Sequence, residues 1–185
     1  MLNDTTSALI LVDYQEKLLP SIHQGEAVVD AALLLAQAAS ILGIPVLGTE
    51  QNPEGLGPNE GRIRNCCNQT LHKHSFNAAD NGLEDLIEKI NPRITQVVLA
   101  GCETHVCLMQ TALGLKEKGY EIAVVAEACG SRRPSDKLLA LERMREQGIF
   151  MLSVEMIIFE WLKTCKHSQF KKVLQLVKSR SLKAE

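Results

Sequence analysis

Short apolar runs alternate along the chain with longer segments in which apolar residues recur every three or four positions. The short runs, such as SALILVD at 7–13 and TQVVLAG at 95–101, are typical of strands buried on both faces. The longer segments contain helix-forming residues, and the one at 25–42 ends at Gly43. The pattern predicts strands at 7–13, 44–50, 69–76, 95–101, 121–128 and 149–155, and helices at 25–42, 82–90, 104–118, 135–148 and 156–182.

This alternation of strands and helices predicts an α/β fold. Right-handed βαβ crossovers place helices on both faces of a largely parallel sheet, so we expect a doubly wound, three-layer αβα sandwich. No repeat or low-complexity linker interrupts the order, so residues 1–185 are predicted to form a single domain. The segment QNPEGLGPNEG at 51–61 is predicted to be a long loop, and loops of this length are often functional.

Composition and charge narrow the class of protein. Apolar residues make up 45% of the 185 residues and aromatic residues only 4%, which predicts an aliphatic core. The net charge of −2 argues against a dedicated nucleic-acid-binding protein. The segment 163–185 nevertheless contains seven basic residues and one acidic residue. We interpret this basic C-terminal tail as a solvated helical face, with partner binding, including nucleic-acid binding, as the alternative.

The first residues, MLNDTTSALILVD, lack the basic segment of a signal peptide, and their apolar run is too short to span a membrane. We therefore expect a cytoplasmic protein that does not bind membranes. In that compartment the six cysteines are expected to be thiols rather than a disulfide framework. No C-x-x-C motif occurs, which argues against a zinc ribbon or a thioredoxin-type site.

Polar residues lie at the ends of several predicted strands. Asp13 ends the first strand, Glu50 and Gln51 end the second, Lys73 lies in the third, and the segment GCETHVC at 101–107 follows the fourth. Ligands of parallel α/β sheets bind outside the carboxyl ends of the strands. These positions are therefore the candidates for chemistry, although an N-cap is an equally good interpretation of Asp13.

The segment 101–107 contains two cysteines with different expected roles. Thr104 is a suitable N-cap for the following helix, which places Cys107 in its first turn. Unpaired amides and the positive end of the helix dipole favour a thiolate there. Cys102 still belongs to the strand, where a cysteine is usually a small buried apolar residue. His105 is two residues from Cys107 and does not face it on a helix, so a base for this thiol must come from elsewhere.

A metal site is an alternative interpretation of the same region. Its ligands would come from His72, His74, Cys102, His105 and Cys107. Their spacing matches no zinc-binding pattern, so we expect neither a metal nor another cofactor.

Three segments resemble the isochorismatase-like cysteine hydrolases, and the similarity extends over nearly the whole chain. LILVDYQ resembles the first strand of that family with its catalytic aspartate, here Asp13. KHSFNAADN resembles the segment with the catalytic lysine, here Lys73. AGCETHVCLMQTALG resembles the turn and helix with the nucleophilic cysteine, here Cys107. TEQNPEGLG resembles the branch that contains the isochorismatase domain-containing proteins and the YcaC-like hydrolases.

The resemblance implies a mechanism. Asp13 would accept the Cys107 proton, while Lys73 would stabilise the thiolate and orient Asp13. The backbone amides of Thr104 and Cys107 would form the oxyanion hole, and the peptide bond between Glu103 and Thr104 would be cis. The implied reaction is hydrolysis of a small amide-like substrate through a thioester intermediate. The resemblance also implies a homo-oligomer.

Two departures from related families limit the substrate. Metal-dependent nicotinamidases carry Asp-x-His after the second strand, where this chain has GTEQNPEG, so a metal-independent hydrolase is expected. True isochorismatases generally lack the cysteine, so Cys107 argues against isochorismate. The resemblance places four residues at the rim of the substrate pocket: Gln51, Phe76, Asn77 and Glu103. A loop hydrogen bond or a core contact is an equally good interpretation of these positions.

The site and the segment 156–162 each have an alternative interpretation. A catalytically silent scaffold or partner-binding protein with this fold would leave the Cys107 sulfur more than about 5 Å from Asp13 and Lys73, too far for direct proton transfer. The apolar segment MIIFEWL at 156–162, with Trp161, is a candidate subunit contact. Packing of that helix into the core is the alternative.

Overall fold

The computed structural model of the chain describes residues 1–181 and contains a six-stranded parallel β-sheet. The strands lie in the order β3-β2-β1-β4-β5-β6. Their bounds are Ser7–Val12 for β1, Val46–Gln51 for β2, Gln69–Lys73 for β3, Gln96–Cys102 for β4, Glu121–Gly130 for β5 and Phe150–Leu152 for β6. The predicted doubly wound α/β sandwich is confirmed.

Helices cover both faces of this sheet. Their bounds are Gly25–Leu42 for α1, Pro53–Leu56 for α2, Gly61–Arg64 for α3, Leu83–Ile90 for α4, Met109–Glu117 for α5, Pro134–Glu146 for α6, Val154–Leu162 for α7 and Phe170–Ser181 for α8. A π-helical turn, Thr104–Leu108, leads directly into α5. The short helices α2 and α3 lie in and just after the predicted loop 51–61.

Strand β1 shows how one apolar run supplies two layers, because all of its residues are buried. Leu9 and Leu11 pack in the layer that contains α1, α7 and α8. Ala8, Ile10 and Val12 pack in the layer that contains α4, α5 and α6. Successive side chains of a strand face opposite sides of the sheet, so a continuous apolar run is required at the centre of a three-layer fold.

Among the described residues, α1 is the helix that is long and apolar enough to cross a membrane by length and composition. Half of this segment is buried inside the protein, where its apolar side chains pack in the core beside the sheet. A helix in the core of a globular protein can have the same length and hydrophobicity, because it too is apolar around most of its circumference.

The C-terminal region is not the single helix predicted over 156–182. It forms α7 and α8, because the chain changes direction at Lys163, whose φ of 58° is left-handed. The Lys163 ammonium is held at this bend by Asn3 and Asp4. Trp161 is fully buried, so core packing is correct for this side chain, whereas Met156 and Phe159 of the same segment are exposed. The last four residues of the predicted basic tail lie outside the described residues.

The strand order reverses at β1, which lies between β2 and β4. In doubly wound sheets this switch point opens a crevice at the carboxyl ends of the two central strands. Gly101 in β4 permits the close approach of the strands here, since a Cβ atom on it would lie 2.5 Å from the Val12 carbonyl oxygen. Asp13 follows β1 directly and adopts a left-handed φ of 55°. The fold therefore places this carboxyl group at the switch point.

Candidate active site

Two oppositely charged side chains meet at the carboxyl ends of β1 and β3. The Lys73 ammonium nitrogen lies 2.8 Å from Asp13 Oδ2, and both side chains are almost completely buried. Thr49 lies on the intervening strand β2 and donates its hydroxyl proton to Asp13 Oδ1 at 2.6 Å. Each carboxylate oxygen therefore has a donor, which is the condition under which a buried ion pair is tolerated.

The Lys73 ammonium has two further acceptors. Gln51 Oε1 lies 2.7 Å from the ammonium nitrogen, and the Phe76 carbonyl oxygen lies 3.5 Å away. Gln51 is directly opposite Lys73 in the β2–β3 ladder, so the two side chains leave the sheet on the same side. The ammonium is therefore held between Asp13 on one side and Gln51 on the other.

The Cys107 thiol completes this cluster. It is buried, and both the Asp13 carboxylate and the Lys73 ammonium act on its pKa. Burial and the Asp13 carboxylate raise the pKa of the thiol to about 12, although Lys73 acts in the opposite direction. The thiol is therefore protonated at neutral pH. In the mechanism that the resemblance implies, Asp13 accepts this proton.

The turn before Cys107 differs from its prediction in two ways. All peptide bonds of residues 1–181 are trans, so the expected cis bond between Glu103 and Thr104 is wrong. Glu103 instead redirects the chain with a left-handed φ of 51°. Thr104 lies inside the π-helical turn rather than at its N-cap, and its hydroxyl donates to the Gly130 carbonyl oxygen at 3.0 Å. That hydrogen bond anchors the turn to the end of β5.

The end of β5 is itself held by Tyr14, the residue after Asp13. The ladder between β4 and β5 shifts register between Leu99 and Gly101, which leaves a bulge in β5. The buried Tyr14 hydroxyl donates to the Ala128 carbonyl oxygen within this bulge. Burial raises the pKa of Tyr14 well above its usual value, so the hydroxyl stays protonated and continues to donate.

His105 and Cys102 lie outside the cluster, in agreement with their predicted roles. His105 Nδ1 lies 3.1 Å from the Ser131 hydroxyl oxygen, and its Nε2 lies 3.6 Å from Glu103 Oε2. Cys102 is buried in the core on the α1 side of the sheet. Cys107 belongs to the core cluster on the opposite side. The two sulfurs of this segment therefore have separate environments.

Two of the predicted rim residues have their polar groups occupied. Asn77 is the N-cap of a short 3₁₀-helix and accepts a hydrogen bond from the Ala79 amide. Glu103 pairs with the guanidinium group of Arg132 at 3.3 Å. These contacts are the loop and turn hydrogen bonds that polar side chains make without any ligand.

The other two rim residues adjoin the ion pair. Gln51 uses both ends of its amide, since Oε1 accepts from Lys73 and Nε2 donates to the His74 carbonyl oxygen at 2.6 Å. Phe76 contacts Lys73 through its carbonyl group, and 51% of the residue is exposed. Phe76 therefore presents an apolar surface next to the charged cluster.

Sequence reasoning missed two residues of the site. Thr49 lies inside the predicted strand IPVLGTE, and Gln15 lies two residues after Asp13. Gln15 is fully buried, and its side-chain amide binds the backbone of Gln51. The available signal was a polar side chain within or directly after an apolar strand, which is unusual in a buried sheet.

The residues considered for a metal site are not gathered in the structure. Within residues 1–181, no group of three or more His, Cys, Asp or Glu side chains could hold a metal ion. His72 instead lies 3.1 Å from Glu50 Oε2, and Glu50 Oε1 accepts from the Asn59 amide.

Buried thiols predict a loss of stability in alkali. Burial raises the pKa of Cys107 and of Cys129 to about 12, whereas a cysteine of the unfolded chain ionises near 9.0. The unfolded state therefore releases these protons first as the pH rises. The free energy of unfolding should be unaffected below pH 9 and should fall above it, by about 1 kcal/mol per pH unit for each such thiol.

Urea denaturation between pH 8 and pH 11 measures this slope. Cys129→Ala should make the slope shallower by about one thiol's contribution. Val124→Ala, a truncation in the same buried strand, should lower stability equally at every pH. An unchanged slope in Cys129→Ala would show that this thiol is not protected from ionisation.

Comparison with known proteins identifies the class to which this fold and site belong. A family model of the isochorismatase domain matches residues 7–156. The chain therefore belongs to the isochorismatase family and has the fold of this hydrolase family.

The similar proteins lie in the predicted branch. Isochorismatase domain-containing protein 2 of Xenopus laevis is 39% identical over 95% of this chain and 85% of its own length. The solved structure of MAR1 ribonuclease from Caenorhabditis elegans is 32% identical, with a TM-score of 0.89, and covers 95% of this chain and 91% of that chain. The YcaC gene product from Escherichia coli, described as an octameric hydrolase of unknown specificity, is 22% identical, with a TM-score of 0.81 over 98% and 96% of the two chains.

Proposed function

We propose that the protein is a metal-independent cysteine hydrolase that cleaves the C–N bond of a small amide-like substrate. The observation that carries this proposal is the buried ion pair of Asp13 and Lys73, both of which act on the pKa of one buried thiol, Cys107. Buried ionisable groups of opposite charge beside a nucleophile are costly to stability and are characteristic of active sites.

The first step uses Asp13 as the base. Because the Cys107 thiol is protonated at neutral pH, its proton must leave as the sulfur attacks the substrate carbonyl carbon. Asp13 accepts that proton, and the Lys73 ammonium stabilises the negative charge that develops on sulfur. The carbonyl π electrons move to oxygen, which gives a tetrahedral intermediate with a C–S bond.

The start of the helix is suited to binding the oxyanion. The Glu103 carbonyl accepts from the Val106 amide at 2.8 Å, and the Met109 amide donates to the Thr104 carbonyl across the π-helical turn. The amides of Thr104 and Cys107 belong to the same first turn, where N–H groups lack partners within a helix. We propose that these two amides donate to the substrate oxygen, which the positive end of the helix also favours.

The remaining steps return the site to its first state. Collapse of the tetrahedral intermediate breaks the C–N bond, and Asp13 passes its proton to the departing nitrogen. The resulting thioester is attacked by water, whose proton goes to Asp13. The C–S bond then breaks, the acid leaves, and the Cys107 sulfur recovers the proton from Asp13.

The test of this function is a screen of small amides, ureas and carbamoyl compounds for hydrolysis. Acid quenching of a reacting sample, followed by peptide mass spectrometry, should show an acyl group on the peptide that contains Cys107. Hydrolysis with the acyl group on another residue would contradict the assignment of the nucleophile.

The catalytically silent scaffold is less well supported. It required a Cys107 sulfur separated from Asp13 and Lys73, whereas both of these charges act on the pKa of the thiol. The buried pair also costs folding energy that an apolar pair of similar size would avoid. A scaffold has no use for such an arrangement.

Ribonuclease activity is a second candidate, because the 32% identical MAR1 protein is named a ribonuclease. In this chain the exposed lysines of α8, Lys171, Lys172 and Lys178, could contact phosphates, while Val173 and Val177 attach the helix to the core. If RNA is bound there, replacing the three lysines by glutamine should weaken binding and reduce its salt dependence by about one phosphate contact per lysine.

Binding of fluorescent single-stranded RNA at several salt concentrations measures this effect. The control is Lys116→Gln with Lys118→Gln, which removes exposed lysines at the end of α5. Salt-independent or undetectable binding of RNA by the unmodified protein would exclude this candidate.

We also propose that the protein is a homo-oligomer, as the YcaC relative is. Large apolar side chains are exposed at Leu138 and Leu139 of α6 and at Met156 and Phe159 of α7. Such surfaces are common at subunit contacts. The mass of the protein in solution, measured by light scattering, decides between a monomer and an oligomer.

A further inference from the structure

We propose that Gln15 is a positioning residue of the candidate active site: its side-chain amide holds Gln51, and Gln51 in turn holds the Lys73 ammonium against Asp13. This inference rests on the proposed function for its meaning, but its evidence and its test concern the geometry of the Cys107 cluster alone.

The Lys73 ammonium needs a second hydrogen-bond acceptor besides Asp13. An ammonium group carries three N–H donors, and a buried one is stable only when it is well paired. Asp13 Oδ2 lies 2.8 Å from the nitrogen and Gln51 Oε1 lies 2.7 Å from it, whereas the Phe76 carbonyl is at the limit of hydrogen bonding at 3.5 Å. Gln51 is therefore the close neutral acceptor that fixes the direction of the ammonium.

Gln51 lies at the end of strand β2, where its backbone loses its neighbour. Strand β1 pairs with β2 only as far as Val12 and Thr49, after which Asp13 turns away. The backbone of Gln51 consequently has no strand partner on the β1 side. The next residue, Asn52, has a left-handed φ of 41°, so the chain leaves the sheet immediately afterwards.

Gln15 supplies the missing partner with its side chain. Its Oε1 accepts from the Gln51 amide at 2.9 Å, and its Nε2 donates to the Gln51 carbonyl oxygen at 2.9 Å. This pair of hydrogen bonds reproduces what a neighbouring strand would provide. The Nε2 group also donates to the Gly57 carbonyl oxygen at 2.7 Å, which ties down the following segment. Gln15 is fully buried, so water does not compete for these bonds.

The chain of contacts therefore runs from Gln15 through Gln51 to Lys73, whose charge acts on the Cys107 thiol. The side chain of Gln51 is long, and its amide can hold the ammonium in one place only if its own backbone is fixed. Loss of Gln15 should let Gln51 and the ammonium move. Lys73 favours the thiolate form of Cys107, so its displacement should reduce the fraction of thiolate.

The experiment measures the rate at which iodoacetamide alkylates Cys107 at pH 8.5, with peptide mapping to separate this cysteine from the others. Gln15→Met keeps the size of the side chain and removes its hydrogen bonds. We expect alkylation of Cys107 to be about threefold slower or more, which corresponds to a rise of about half a unit in its pKa. Gln51→Met should slow alkylation at least as much.

The control is Gln96→Met. Gln96 is also a buried glutamine with several hydrogen bonds, but it lies at the amino end of β4, away from the site. Its loss should lower stability in urea without changing the rate at Cys107. A merely structural role for Gln15 would give the same result as this control and would overturn the proposal.

The double variant tests whether Gln15 acts through Gln51. If it does, adding Gln15→Met to Gln51→Met should change the alkylation rate no further. Independent, multiplicative effects would contradict the proposed chain of contacts. If Gln15→Met does not fold, Gln15→Asn retains an amide that is one methylene shorter, and it should give a smaller reduction in rate. None of these rates depends on finding a substrate, so a failed hydrolysis screen leaves this result intact.

Discussion

Replacing Cys107 by serine is expected to abolish hydrolysis of any compound that the unmodified protein cleaves, with a loss on the order of 10⁴-fold or more. A serine hydroxyl gives up its proton far less readily than a thiol, and Asp13 and Lys73 are arranged around a sulfur atom. The measurement is the turnover of the best substrate from the amide, urea and carbamoyl screen. The variant should also lack the acyl group on the peptide that contains residue 107.

Cys102→Ala is the matched control for that experiment. Cys102 lies in the same segment, but it packs in the core on the other side of the sheet from Cys107. Its truncation should lower the free energy of unfolding and leave the turnover per folded molecule unchanged. Full activity in Cys107→Ser, or equal losses in the two variants, would refute the proposed nucleophile.

Removing one member of the buried ion pair should have the largest effect on stability. Lys73→Met leaves the Asp13 carboxylate buried without its partner, and we expect a loss of about 3–5 kcal/mol in the free energy of unfolding. Urea denaturation at pH 7 measures it. The second variant, Lys73→Met with Asp13→Asn, removes both charges and should recover more than half of the loss, because no uncompensated charge then remains.

An exposed ion pair provides the comparison. The Lys118 ammonium lies 3.3 Å from Glu84, and both side chains are partly exposed. Lys118→Met should therefore cost less than about 1 kcal/mol. If Lys73→Met costs no more than this control, Asp13 and Lys73 do not form a desolvated pair. The double variant should recover stability without recovering hydrolysis, which separates folding from catalysis.

Much of the fold could be predicted because its cause is local. Buried strands such as TQVVLAG must be apolar on both faces, and helices such as 25–42 must carry an apolar stripe. Both can therefore be recognised from the spacing of apolar residues along the sequence. The order of these elements then restricts the topology to a doubly wound sheet. The break at Lys163 was missed because a left-handed residue other than glycine leaves no mark in the periodicity.

The candidate site could be predicted only in part. Asp13, Lys73 and Cys107 were singled out because they lie at strand ends and match family segments. The assignment of Thr104 as an N-cap was wrong, because a hydroxyl can bond to a neighbouring strand as well as to its own helix. The raised pKa of the thiol could not be predicted, because burial depends on every element that packs around Cys107.

The order of apolar and polar residues along the chain was sufficient to predict the alternation of strands and helices, the parallel sheet and the candidate chemical groups. Those features depend on backbone geometry and on the transfer of apolar side chains from water, both of which act residue by residue. Only the tertiary structure decided which polar groups share a desolvated volume. Three separate elements supply Asp13, Lys73 and Cys107. The side chain of Gln15 binds the backbone of Gln51, which lies 36 positions further along the chain. Such contacts depend on strand order and register, and no local pattern encodes them.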